Sequence, residues 1–304
     1  MKICYLILAH KYPDQLKRLI SRLNEPGNSF FIHINKREKE FYQAASEALA
    51  EFPNVHFLPR YKIWWGTFGM TKAVIGGIDV IANAGVPYDR VVFISGQDYP
   101  IKSNAEIQAF FEKNPDKNYI EFFPLSVANK WTGSVPNPLS IDPGNFDVAS
   151  RIKKTCLSFR SRVFFLPVPR KAPFGYVTYG GSFWWNLNRE CIEYMAAFLA
   201  EKREFERFAK YLYLPDEMFF NTLLANSPLR HTLVSDNLRY IDWEKANPQP
   251  PAILMMEDFD ALKASPALFA RKFDKQRDSQ ILDKIDNELL LNTEVRQNAS
   301  MSRF

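Results

Sequence analysis

Apolar runs of strand length recur through the first third of this chain, with helix-length segments between them. ICYLILA (3–9), FFIHI (30–34) and RVVFIS (90–95) are apolar along their length instead of alternating with polar residues. Between them Pro13–Leu23 places Leu16, Leu19, Ile20 and Leu23 on one helical face, and Thr71–Ala84 spaces Ala73, Val74, Ile78 and Ile81 in the same way. Phe41–Glu51 suits another helix and Val55–Leu58 another strand. A strand apolar on both faces must be covered on both faces. The pattern therefore predicts an α/β fold with a mostly parallel central sheet flanked by helices. Ligands of such sheets sit beyond the carboxyl ends of the strands, which marks the loops Ala9–Tyr12, Asn35–Arg37 and Gly96–Pro100.

The texture changes over 124–173, where Pro and Asn are frequent and periodicity fades. Residues 151–171 carry seven basic side chains and no acidic one. A basic run is most often a solvated face. Interleaved with Phe159, Phe164, Phe165 and Leu166, it also suits a surface that meets an anionic membrane or a charged acceptor. Structure resumes at Gly180–Leu187. A helix follows from Glu190 to about Leu212, then a second from Pro215 to Ala225, a short strand at Leu238–Ile241, and a polar helix from Asp274 onward.

Composition excludes several classes. The 46% hydrophobic and 24% charged content rules out a disordered chain. A net charge of +5 without a binding motif gives no support to a nucleic-acid partner. Cys4, Cys156 and Cys191 form no CxxC pair and the four histidines are scattered, so neither a disulfide framework nor a metal site is expected. No run of 18 apolar residues occurs, and a cytoplasmic protein is expected. The 15% aromatic content is high, and such side chains either enlarge a core or line a site for ring-shaped ligands.

No GxGxxG, GxxxxGK[ST] or HExxH is present. Chemistry concentrates elsewhere. In LPDEMFFNTLLANS, Pro215 suits a first helical turn, and Asp216 and Glu217 follow where the helix dipole favours carboxylates. Glu217 is either a cap or a general base held ionised towards a cleft. In LFARKFD, Arg271 and Lys272 stand between Leu268, Phe269 and Phe273. Basic residues framed this way suit a diphosphate, with a salt bridge to Asp274 as the plainer reading. In GGSFWWNLN, Gly180 and Gly181 permit close backbone approach, while Trp184 and Trp185 offer flat faces to a sugar or pack in the core.

Taken in order, AHKYPDQLKRLI, FFIHINKR, WWGTFGMTKA, FISGQDYPIKS, GGSFWWNLNRECIEYM, LPDEMFFNTLLANS, NLRYIDW and LFARKFD resemble the family of core-2/I-branching β-1,6-N-acetylglucosaminyltransferases and peptide O-xylosyltransferases. The bacterial members and the xylosyltransferase branch are nearest. The resemblance implies a GT-A-like fold and an inverting transfer of N-acetylglucosamine or xylose from a UDP-sugar to a hydroxyl of a glycan or lipid-linked glycan, without a metal ion. It implies that Glu217 is the base and that Arg271 and Lys272 bind the diphosphate. His10, His33, Lys36 and Arg37 would lie at the nucleotide and Asp98 near the donor sugar. Trp65, Trp184, Trp185, Arg239 and Trp243 would border the cleft. Asn35 stands where relatives often carry Asp, and Gly69 where Ser is frequent. One catalytic domain over 1–304 is expected, with a nucleotide-sugar-binding half (1–123), an acceptor and catalytic half (124–273) and a helical tail (274–304). The expected site is cytoplasmic, with peripheral contact to the inner membrane face through 151–171. Two other classes compete with this reading. A nucleotidyltransferase would need a Gly-rich N-terminal signature and metal carboxylates, and both are absent. A non-catalytic carbohydrate-binding protein would use the aromatics alone.

Overall fold

The computed structural model of the chain describes residues 1–64, 66–125, 139–141, 164–166, 171–212, 214–245 and 251–291, with backbone pairing alone for 139–141 and 164–166. Trp65, nearly all of the basic run 151–171 and the end of the 274–304 tail lie outside the described residues.

In chain order the strands are β1 (Ile3–Ala9), β2 (Ser29–Ile34), β3 (Val55–Phe57), β4 (Arg90–Ser95), β5 (Tyr99–Pro100), β6 (Asn118–Ile120), β7 (Phe123–Pro124), β8 (Leu139–Ile141), β9 (Phe164–Leu166), β10 (Tyr179–Gly180), β11 (Trp185–Asn188), β12 (Leu233–Val234), β13 (Arg239–Ile241) and β14 (Phe269–Arg271). Seven of them form the central sheet in the order β12-β6-β11-β4-β1-β2-β3. β1 pairs in parallel with β2 and β4, β2 with β3, and β12 with β6, whereas β11 runs antiparallel between β4 and β6. The expected α/β class is the one observed. A second sheet, β13-β14-β5, lies beside it.

β1 shows why its run has no polar positions. Successive side chains of a strand point to opposite faces. Ile3, Tyr5, Ile7 and Ala9 enter one core with Leu16, Leu19, Ile20 and Leu23 of the Pro13–Leu23 helix. Cys4, Leu6 and Leu8 enter the other with Ala73, Val74, Ile78 and Ile81 of the Phe68–Asn83 helix. Each core requires its own half of the strand.

Several boundaries differ from the sequence reading. The third helix starts at Phe68, not Thr71, because the Thr67 hydroxyl accepts from the Gly69 N–H and caps it. The helix expected from Glu190 to Leu212 is two, Arg189–Glu201 and Arg203–Ala209, broken where Lys202 leaves helical backbone (φ −99°, ψ 64°). Pro215–Glu217 is a single 3-10 turn, separated from the Phe219–Ala225 helix by Met218 at φ −133°. The tail packs more than its polar sequence suggests: Ile281, Leu282, Ile285 and Leu290 are buried against the first core.

Candidate active site

Strand register brings the expected residues to one edge. Residues 10, 35–37, 96–98 and 121 follow directly on the carboxyl ends of β1, β2, β4 and β6. β11 is antiparallel, with Asn188 opposite Arg90 and Asn186 opposite Val92, so residues 181–184 at its amino end reach the same edge. The segment Gly181–Trp184 touches two groups of charged residues, Glu217 at its Gly181 end and Arg271 at its Trp184 end.

At the Trp184 end lie cations around a single acid. Asp98 is fully buried and accepts from the Ser95 hydroxyl at 2.6 Å. Its carboxylate faces Arg271 Nε at 3.3 Å and Arg239 Nε at 3.9 Å. Arg239 also donates to the Phe93 carbonyl at 2.5 Å and to the Asn237 carbonyl. The Arg271 guanidinium covers the Trp184 ring at 4.2 Å. Burial pushes Arg239 down to about 10, opposed by Asp98, and this leaves it charged at neutral pH. Lys272 is lowered by burial first and then by Arg271 and Lys11. Among the described residues no carboxylate lies within ion-pair distance of its ammonium. Asp274, the partner that the plainer alternative would give the Arg271–Lys272 pair, binds Lys11 at 2.7 Å. The His10 ring, crowded by protein and then by the charges of Lys11, Lys272 and Arg271, is held below the usual imidazole range. That field joins His10 to the cationic group.

At the Gly181 end lie carboxylates. Gly181 donates its N–H to the Glu217 carbonyl at 3.0 Å. A Cβ on Gly181 would stand 2.0 Å from the Glu121 carbonyl oxygen and 2.8 Å from Asn221 Nδ2, so only glycine fits. Asn221 fixes the corner by donating to the Glu121 carbonyl at 2.7 Å and the Ser182 carbonyl at 3.1 Å. Glu217 Oε2 and Asp216 Oδ1 are buried without a hydrogen-bond partner. Burial raises Asp216 to about 6. Burial, and after it the charges of Asp216 and Glu121, raises Glu217 to about 8. The helix start expected at Glu217 is not there: the residue closes a three-residue 3-10 turn, and desolvation is the main influence on its carboxyl. Tyr12, Leu214 and Leu238, each leading into a site segment, hold left-handed backbone at φ 58°, 49° and 58°.

Other expected residues fall elsewhere. Trp185 is fully buried against Phe93 and Phe220, so it belongs to the core and borders no cleft. Trp184 is 7% exposed and presents its face to Arg271, which occupies the place a sugar would take on that face. His33 is 1% exposed; its Nε2 accepts from the Tyr61 N–H at 3.0 Å, and burial, then Arg60, push it down to about 4. It supports the 60–64 loop as a neutral ring. Lys36 and Arg37 are exposed, and Arg37 stacks over Trp64 at 3.8 Å. Trp243 is 55% exposed just past β13. Trp65 lies outside the described residues. Asn35 donates to the Ile63 carbonyl at 2.9 Å and accepts from the Ile63 N–H at 3.1 Å, a double link an aspartate could not make. Lys11, Glu121 and Trp64 were not singled out by sequence. The first two could have been found from their place directly after a parallel strand.

Among the described residues no group of three His, Cys, Asp or Glu is arranged to hold a metal ion, and no helix is long and apolar enough to cross a membrane.

The Core-2/I-Branching enzyme family model matches residues 3–263. The chain belongs to the Core-2/I-Branching enzyme family, a family of glycosyltransferases. Xylosyltransferase 2 of Rattus norvegicus is 29% identical over 311 residues, 95% of this chain and 34% of that protein. Xylosyltransferase 1 of Homo sapiens is 24% identical over 94% of this chain and 30% of that protein. The chain thus spans about a third of the length of these curated relatives. Among solved structures, apo mouse xyloside xylosyltransferase 1 is similar at a TM-score of 0.39 with 11% identity, over 89% of this chain and 97% of that one. The family match stops before Arg271 and Lys272.

Proposed function

We propose that the protein transfers N-acetylglucosamine or xylose from a UDP-sugar to a hydroxyl of a glycan or lipid-linked glycan, with inversion and without a metal ion. The named relatives favour xylose. Glu217 takes the acceptor's proton as the new C–O bond forms. The bond from the anomeric carbon to phosphate breaks, and its electron pair leaves with the diphosphate. Lys272, Arg271 and Lys11 meet that charge in place of a divalent ion. A positioned base supplies about 10²–10⁴-fold in rate. Residues 1–123 act as the nucleotide-sugar half and 124–273 as the acceptor half. The protein works in the cytoplasm, with the basic run 151–171 against the inner membrane face.

The carrying observation is the charge met at the two ends of Gly181–Trp184: an acid with an unpartnered oxygen at Gly181, and at Trp184 the Arg271 that precedes Lys272, a lysine without an ion-pair carboxylate among the described residues. The test is UDP release from a panel of UDP-sugars with EDTA present. Release is expected to survive EDTA and to collapse in Glu217→Gln. A requirement for Mn²⁺, or near-normal transfer by the variant, would overturn the mechanism.

A further inference from the structure

The tail beyond the family match is tied to the site by a buried acid. Asp286 is 2% exposed and lies at the end of the Gln280–Ile285 helix. One carboxylate oxygen accepts from Arg18 Nε at 3.0 Å, Arg18 Nη2 at 2.8 Å and Arg22 Nη2 at 2.8 Å. The other accepts from the Tyr99 phenol at 2.7 Å. Arg18 Nε reaches the same phenol oxygen at 3.2 Å. Both oxygens of a buried carboxylate are therefore committed, and charge-assisted bonds of this kind hold geometry tightly.

Tyr99 connects that anchor to the cations. It is fully buried, follows Asp98 directly, and sits opposite Ala270 in the antiparallel pairing of β5 with β14. Asp98 carries the ion pair to Arg271, the last residue of β14. A shift of the Tyr99 ring moves Asp98 along the chain and β14 across the pairing, and both movements end at Arg271–Lys272.

We infer that Asp286 is a positioning residue for the anion-binding cations, acting through the Tyr99 hydroxyl. The inference rests on the diphosphate role of Arg271 and Lys272 proposed above. Tyr99→Phe tests it with the ring, the Arg18–Asp286 and Arg22–Asp286 pairs and the tail packing retained. UDP affinity of the full chain is read by calorimetry, with thermal unfolding alongside. Tyr99→Phe and Asp286→Asn are each expected to weaken UDP binding about tenfold, and the double variant little more than either alone. A merely structural role predicts lowered unfolding temperatures with UDP affinity within twofold of the parent at a temperature where the variants are folded; that result overturns the inference. Lys272→Ala separates the two readings. If it too leaves UDP affinity unchanged, the diphosphate role fails; if it weakens UDP binding while Tyr99→Phe does not, only the positioning role fails.

Discussion

The two charged groups at Gly181–Trp184 handle excess charge in opposite ways. On the cationic side Asp98 serves Arg239 and Arg271 together, and Lys272 has no carboxylate of its own among the described residues. On the acidic side Asp216, Glu217 and Glu121 gather with no cation in ion-pair distance among the described residues. The chemistry of relief differs. A carboxylate discharges by taking up a proton, and desolvation gives Glu217 a raised affinity for one. Arginine cannot discharge at accessible pH, so the other side needs an anion from outside. One side is suited to accept a proton and the other to hold a permanent negative charge.

Four measurements break or sharpen that contrast. Glu217→Gln removes the proton acceptor, and transfer is expected to fall about 10²–10⁴-fold while UDP affinity stays within a few-fold; parallel losses would mean the sides are not separate. Lys272→Ala is expected to weaken UDP binding by roughly 10–100-fold, the worth of one charge-assisted contact, and to leave the pH midpoint of transfer in place. The third measurement is stability against pH. The Glu217 carboxyl rises from 4.5 to about 8 on folding, so the folded chain keeps a proton that the unfolded chain has lost. Stability from this group is therefore lost as pH climbs from 4.5 to about 8. Glu217→Gln should reduce that decline to the smaller one left by Asp216 and be the more stable protein at pH 8 by roughly 2 kcal/mol after allowance for solvent screening; chemical denaturation at pH 5 and pH 8 reads it. The smallest effect is expected for Glu121→Gln. Removing the weaker of the two neighbouring charges should lower the pH midpoint of the transfer rate by about half a unit, and a midpoint that rises would refute the coupling.

The fold was legible where the physics is local or two-sided. The uniformly apolar runs of β1 and β4 allowed only burial on both faces, and the parallel sheet followed. The antiparallel β11 was not legible, because Trp185–Asn188 reads as a strand in either direction and only its neighbours decide. The site was legible in its residue types and less so in its pairings. Asp274 is closer in sequence to Lys272, yet the Asp98 carboxylate, 173 positions before Arg271, takes that arginine because β5 and β14 pair. Trp184 and Trp185 are indistinguishable in sequence; strand alternation sends one under Arg271 and the other into the core. Glu217 stood out in sequence as a cap or a candidate base, but its elevated affinity for protons comes first from desolvation and then from Asp216 and Glu121, and neither the burial nor Glu121 is revealed by local spacing.

The left-handed backbone at Tyr12, Leu214 and Leu238 carries a cost of roughly 1–2 kcal/mol each for residues with a Cβ. Glycine would relieve the torsion, but at Leu238 it would also empty a place in the first core, and at Tyr12 it would remove the hydroxyl that donates to Gln276. These positions hinge the Lys11 loop, the turn that carries Glu217 and the strand that carries Arg239. The side chains are thus kept despite their torsions, and those torsions hold three site segments in one arrangement.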